Sequence, residues 1–158
     1  MSTLPDHRGL ILDEWLDYNG HLNVAYYLMA FDQATDQVFD HLGVGERYVK
    51  EDQHSLFAVE QHLIYDREMR GGAPFKIGTS LVDYDGKRLH LLMVMTNDAE
   101  GYQAASAEML FVHVNMQTRR SAPMPEALLS YLAAEPMLAA DDPLAKRVGR
   151  SMAMVKSS

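Results

Sequence analysis

The chain has 158 residues, of which 47% are hydrophobic and 23% charged, with a formal charge of −8 at pH 7 and no cysteine. Without cysteine, disulfides, thiolate metal sites and cysteine nucleophiles are excluded, and the acidic balance speaks against nucleic-acid binding, which neutralises phosphates with Lys and Arg. The length suits one domain (1–158) with a buried core and leaves no room for a separate cofactor domain.

The N-terminal stretch MSTLPDHRGLILDEW is interrupted by Pro, Asp, His, Arg and Glu, so no signal peptide is expected. No segment is long and apolar enough to span a bilayer, and a cytoplasmic location is the default expectation. GLILDEWLD reads as a short first strand that leads into a polar stretch, DYNGHLN, from Asp17 to Asn23. From Asn23 onward, Val24, Tyr27, Leu28, Phe31, Ala34, Thr35, Val38 and Leu42 recur at helical spacing, with Asp32, Gln33, Asp36, Gln37 and Asp40 on the other face. This predicts an amphipathic helix of about five turns, capped by Asn23 and stopped at Gly43 or Gly45.

Beyond the helix the period changes. SLFAVEQHLIYDREM, FKIGTSLVDY, KRLHLLMVMTN and YQAASAEMLFVHVNM read as four strands separated by RGGAP, DG and DAEG. Asp85-Gly86 predicts a type I′ hairpin, and the four runs together an antiparallel meander. APMPEALLSYLAAEP predicts a short helix packed on the outside, and SMAMVKSS a frayed end. One long helix before four antiparallel strands is most simply satisfied by an α+β fold, a curved sheet of about five strands wrapped around the helix. Such a sheet leaves its convex side and an edge exposed, so a homodimer, or a dimer of dimers, is expected.

The polar stretch places a carboxylate, two amides and an imidazole at the mouth of the helix. The first N–H groups of a helix lack internal partners and carry the positive end of its dipole. They can polarise a carbonyl and stabilise the oxyanion formed when it is attacked. Asp17, a few residues upstream, is then positioned as nucleophile or as general base for water, with Asn19 orienting it and His21 hydrogen-bonding it or relaying a proton. Asp, Asn and Gly are equally the ordinary residues of turns and caps, and spacing alone does not separate the two roles. The histidines at 7, 21, 41, 54, 62, 90 and 113 form no ligand pair on a predicted helix, so no metal is expected.

DYNGHLNVAYYLMAFDQATD resembles the start of the central helix in hotdog-fold acyl-CoA thioesterases, the 4-hydroxybenzoyl-CoA thioesterase-like superfamily, through the D-x-x-G spacing of Asp17 and Gly20. The D-x-N-x-H spacing of Asp17, Asn19 and His21, followed by Asn23, is similar to the pattern of acyl-carrier-protein thioesterases. The resemblance covers about residues 8–120, with a C-terminal helical extension at about 123–150. VEQHLIYDRE, DYDGKRLHL and AASAEMLFVHVNMQTRRSAPMPEALL further resemble the betainyl-CoA thioesterases of carnitine breakdown, although Asn115 stands where those imply an acid.

The resemblance implies a cofactor-free hydrolase in which Asp17 is the catalytic carboxylate, the Val24 N–H the oxyanion donor, and Asn19, His21 and Asn23 order the turn and the water. It also gives Asp32 the place of a helical carboxylate used in another branch. A betainyl group carries a quaternary ammonium, best held by aromatic faces and nearby carboxylates. Trp15, Tyr18, Tyr26, Tyr27, Phe57 and Tyr65 are the candidate aromatics, with Glu60 and His62 lining the pocket from a partner subunit. Lys87, Arg88, Arg119 and Arg120 are the candidates for the phosphates of CoA. The alternatives are a general short-chain or aromatic acyl-CoA thioesterase and a non-catalytic acyl-CoA-binding module; a dehydratase would need a His and Asp pair that the sequence does not offer.

Overall fold

The computed structural model describes residues 2–154. Its elements are β1 (His7–Leu10), a 3₁₀ turn (Asp13–Trp15), α1 (Val24–His41), α2 (Glu46–Asp52), β2 (His54–Tyr65), β3 (Pro74–Tyr84), β4 (Arg88–Asn97), β5 (Gln103–Asn115), β6 (Arg120–Ser121), α3 (Glu126–Ala134) and a second 3₁₀ turn (Pro143–Arg147). Every strand pair is antiparallel, in the order β1-β3-β4-β5-β2, with β6 added at the end of β5. This is the hotdog arrangement, with the sheet curved around α1. No helix among the described residues is long and apolar enough to cross a membrane.

α1 lies where the sequence places it. Asn23 is extended, and its side-chain oxygen accepts the Ala25 N–H at 3.0 Å, satisfying one of the orphan donors of the first turn. Tyr27, Ala30, Phe31, Ala34, Thr35, Val38 and Phe39 are buried. They meet the alternating inward residues of the sheet, among them Ile77 and Leu81 of β3, Leu91 and Met93 of β4, and Ala107 and Met109 of β5. Thr35 is satisfied within this apolar contact by donating to the Phe31 carbonyl at 2.9 Å, with the sulfurs of Met93 and Met109 just beyond.

Several expectations are corrected. The four long strands are not a simple meander, because β2 pairs with β5 at the far edge and β1 takes the place beside β3. Strand β1 ends at Leu10, and DEW turns into 3₁₀ helix. Val24 and Leu28 share the helical spacing of the apolar set yet are 61% and 40% exposed. At the hairpin, neither Asp85 nor Gly86 has positive φ; Asp85 Oδ1 instead accepts the N–H groups of Lys87 and Arg88, each at 2.8 Å. Helix α3 is not an external addition, since Leu128 and Leu132 belong to the main core. The convex face is partly covered, for Arg147 binds Asp66, Ser106 and Gln103 across it and the Gly149 N–H binds Glu108. Of the stretch expected to fray, residues 151–154 are exposed and without regular structure, while 155–158 lie outside the described residues.

At the end of the sheet away from the α1 N-terminus, His54 and His113 stack with ring centroids 5.2 Å apart. His113 is 1% exposed, held by Tyr48 Oη at 2.9 Å and the Ala122 carbonyl at 3.0 Å. Burial, opposed by the Ala122 carbonyl and reinforced by the neighbouring imidazole of His54, pushes His113 below its ordinary value of 6.5. The folded chain therefore keeps this ring neutral where the unfolded chain takes up a proton. Stability is retained above pH 6.5 and falls as the pH drops through it towards the lower folded value. Urea unfolding between pH 8 and pH 5 is expected to show a steeper acid-side loss for the wild type than for His113→Gln; equal slopes would remove His113 as the source.

Candidate active site

DYNGHLN folds as a small hairpin at the mouth of α1. The Asn23 N–H donates to the Trp15 carbonyl at 2.9 Å, Leu16 bridges Leu22, and the Asp17 N–H donates to the His21 carbonyl at 2.9 Å. The chain reverses through Tyr18 and Asn19 because Gly20 adopts φ +76°, a conformation costly for residues with a Cβ. Asp17 Oδ1 accepts the Asn19 N–H at 2.8 Å, while Oδ2 has only the Asn19 amide at 3.4 Å. One carboxylate oxygen is thus held and the other is nearly uncommitted.

The helix opening complements this carboxylate. Asn23 occupies the Ala25 N–H, and the Val24 N–H has no hydrogen-bond partner among the described residues. The cap consumes one donor and leaves the next at an exposed helix start. A thioester oxygen placed there meets an unsatisfied N–H at the positive end of an 18-residue helix.

The other predicted residues divide by position. Trp15 and Tyr26 stack at 5.7 Å and 11°, and Tyr27 meets Tyr65 edge-on at 5.2 Å, so two aromatic pairs flank the α1 N-terminus. Burial raises the Tyr27 phenol to about 12, so it stays a neutral donor, directed at the Arg67 carbonyl at 3.5 Å. Tyr18 is 98% exposed at the turn. The His21 ring faces Glu68, with 4.0 Å between Nε2 and Oε1, and makes no hydrogen bond to the Asp17 carboxylate among the described residues. Asp32 is exposed on α1; its neighbour Asp36 is raised above the ordinary carboxylate value by partial burial and by repulsion from Asp32 and Asp40.

The remaining candidates lie away from Asp17 within the chain. Phe57 sits eight residues before Tyr65 on β2, about 26 Å at the usual rise, beneath the Arg119 guanidinium at 5.5 Å. Glu60 and His62 are on the convex face, where they line a pocket of about 530 Å³ with His90, Glu108 and Arg150. Lys87 immediately precedes β4 and Arg88 opens it, while Arg119 lies between β5 and β6 and Arg120 opens β6. These four stand at the opposite end of the sheet, roughly 30 Å from the Asp17 end along the ten residues of β4. Asn115 is a turn residue, its side-chain oxygen accepting the N–H groups of Gln117 and Thr118.

Sequence reasoning missed the loop at 66–73, which it read as the tail of a strand and a glycine-rich spacer. This loop is bonded to the candidate hairpin through the Leu22 N–H and the Met69 carbonyl at 2.8 Å. It carries Arg67 and Arg70, which line a pocket of about 200 Å³ with Glu68, Ala73, Asn97, Glu100 and Tyr102. Two arginines three residues apart in a turn, D-R-E-M-R-G-G, were the available signal.

A model of the thioesterase-like superfamily matches residues 11–132. The betainyl-CoA thioesterase of Pseudomonas aeruginosa is 36% identical over 129 residues, which cover 82% of this chain and 81% of that protein. The L-carnitine dehydrogenase/betainyl-CoA thioesterase of Agrobacterium fabrum is 34% identical over 80% of this chain but only 26% of its own length. Among solved structures, the Staphylococcus aureus protein SAV2348 in complex with CoA superposes with a TM-score of 0.87 at 26% identity, covering 98% of both chains. With a hairpin carboxylate and an open helix terminus set in a hotdog fold, and with these relatives, the chain belongs to the thioesterase-like superfamily.

Proposed function

We propose that the protein hydrolyses the thioester of an acyl-CoA, with betainyl-CoA as preferred substrate and glycine betaine and CoA as products. The observation that carries this reading is the presence of the nearly uncommitted Asp17 Oδ2 in the hairpin that leads into α1, whose first N–H, that of Val24, has no partner among the described residues. The thioester oxygen accepts from Val24. Asp17 then attacks the carbonyl carbon, or takes a proton from the water that does, the carbon–sulfur bond breaks, and CoA leaves as thiolate. In the first case a mixed anhydride forms and water hydrolyses it; ¹⁸O found on Asp17 after a single turnover in ¹⁸O-water identifies the anhydride, because direct attack by water labels only the acid product.

The kinship with the P. aeruginosa enzyme supports the betainyl group, and so do the aromatic pairs Trp15–Tyr26 and Tyr27–Tyr65 beside the helix mouth. An aromatic face attracts a quaternary ammonium by about 2 kcal/mol when water is excluded. Within one chain Trp15, Tyr26 and Tyr65 remain open to one side, whereas Tyr27 is buried. A second copy pairing along β2, a 12-residue edge strand exposed from Ala58 to Gln61, closes that side in this reading.

The test compares betainyl-CoA with 3,3-dimethylbutyryl-CoA, the neutral isostere in which carbon replaces the ammonium nitrogen. We expect kcat/KM at least about tenfold higher for the charged substrate. Equal values would leave a general acyl-CoA thioesterase, and no thiol release from any acyl-CoA would leave a binding module.

A further inference from the structure

The substrate of the proposed reaction carries a strongly anionic nucleotide into a chain whose formal charge is −8, so long-range attraction is unfavourable and a local cation must receive it. Lys87, Arg88, Arg119 and Arg120 stand at the far end of the sheet. The loop at 66–73 offers two others next to the hairpin.

This loop is rigid. The N–H groups of Asp66 and Arg67 both donate to the Ala104 carbonyl, Leu22 binds Met69, Gly72 donates to the Ile11 carbonyl at 2.7 Å, and His21 bridges Arg70. Met69 is fully buried and anchors it. The pocket wall is equally fixed, because Tyr102 donates to the Glu68 carbonyl at 2.9 Å and receives the Asn97 amide at 3.2 Å. Arg67 is laid over the Tyr102 ring at 3.9 Å and reaches Glu100 at 3.7 Å, and Glu68 faces His21. Of the two acids in the pocket, Glu100 already faces the Arg67 guanidinium. Arg70 is exposed and has no ion-pair partner among the described residues. The cavity, of about 200 Å³, is large enough for a phosphate group.

From this arrangement we infer that Arg70, with Arg67 beside it, receives a phosphate group of the CoA portion of the substrate in the same chain that supplies Asp17. The inference rests on the proposed reaction for the identity of the anion. A guanidinium presents several donors in a planar fork suited to phosphate oxygens, and the loop's bonds to the hairpin tie the position of Arg70 to that of the hairpin carrying Asp17.

The test uses Arg70→Gln on the full chain with two thioesters of one acyl group, the CoA ester and the N-acetylcysteamine ester, which lacks every phosphate. The expected result is a rise of about tenfold in KM for the CoA ester with little change in kcat, the loss of one charge-assisted contact. That penalty is absent with the truncated ester and eased in Arg70→Lys, and added salt raises the wild-type KM more than that of the variant. An equal penalty on both esters, or no penalty on the CoA ester, would overturn the inference. So would a KM effect in Lys87→Gln/Arg88→Gln with none in Arg70→Gln. Should the wild type hydrolyse neither ester, the proposed reaction fails but the site is still read by calorimetric titration with CoA: binding about tenfold tighter to the wild type than to Arg70→Gln upholds it, and equal Kd values overturn it.

Discussion

Asp17→Asn is expected to lower kcat for acyl-CoA hydrolysis by about 10²–10⁴-fold, the usual worth of a positioned general base, while leaving CoA binding and the fold in place. Asparagine is the informative substitution because its side-chain oxygen can still accept the Asn19 N–H that Asp17 Oδ1 now holds at 2.8 Å. The turn, with Gly20 at φ +76°, therefore persists and only the anion is lost. Thiol release under saturating substrate reads the effect, and far-UV circular dichroism with urea unfolding checks that the hairpin and core survive. A variant that folds normally and keeps more than about a tenth of the wild-type rate would remove Asp17 from the bond-breaking step.

Phe31→Ala is expected to cost about 3–5 kcal/mol of unfolding free energy. Phe31 is completely buried on the sheet-facing side of α1, among the largest side chains of the core. Its loss opens a cavity between the helix and the methionine-rich floor of the sheet, and the Thr35 hydroxyl bonded to the Phe31 carbonyl ties the backbone there so that collapse is incomplete. For a chain of this size the midpoint of thermal unfolding should drop by on the order of 10 °C. Phe31→Leu, which keeps most of the volume, should lose much less. A cost below about 1 kcal/mol for the alanine variant would contradict a core organised on this face of α1.

The parts legible in the sequence are those whose signal is local. The amphipathic period of α1, the Asn23 cap and the Asp17 to Gly20 turn are written in a few adjacent residues, and each is found at its expected place. The strand runs were legible too, but not their order, because pairing β2 with β5 rather than β3 is a long-range choice that no turn residue encodes. Helix α2 was overlooked although Glu46–Lys50 and Arg47–Glu51 are both spaced to pair along one helix face. The exposure of Val24 and Leu28 breaks the rule that an apolar stripe faces the core. Both lie in the first turns of α1, beside the proposed substrate site.

Site geometry was harder to read. Strand β2 carries a bulge at Val59, between Ala58 and Glu60, which resets which side chains face α1 and sends Glu60 and His62 to the convex face. The arginines of the 66–73 loop escaped notice because a strand tail and a glycine pair look like connection, and only the bond from Leu22 to Met69 brings them beside the hairpin. Resemblance supplied the reaction class, whereas the residues alone left capping and catalysis equally open.

If amide protons at the opening of α1 pull electron density from the thioester, the carbonyl stretch of bound substrate must report it. We would record the isotope-edited infrared difference spectrum of an acyl-CoA labelled with ¹³C at its carbonyl, bound to the slow Asp17→Asn variant. A shift to lower wavenumber relative to the free thioester is the predicted result. A bound carbonyl that absorbs where it does in water would contradict the placement of the reacting group at Val24.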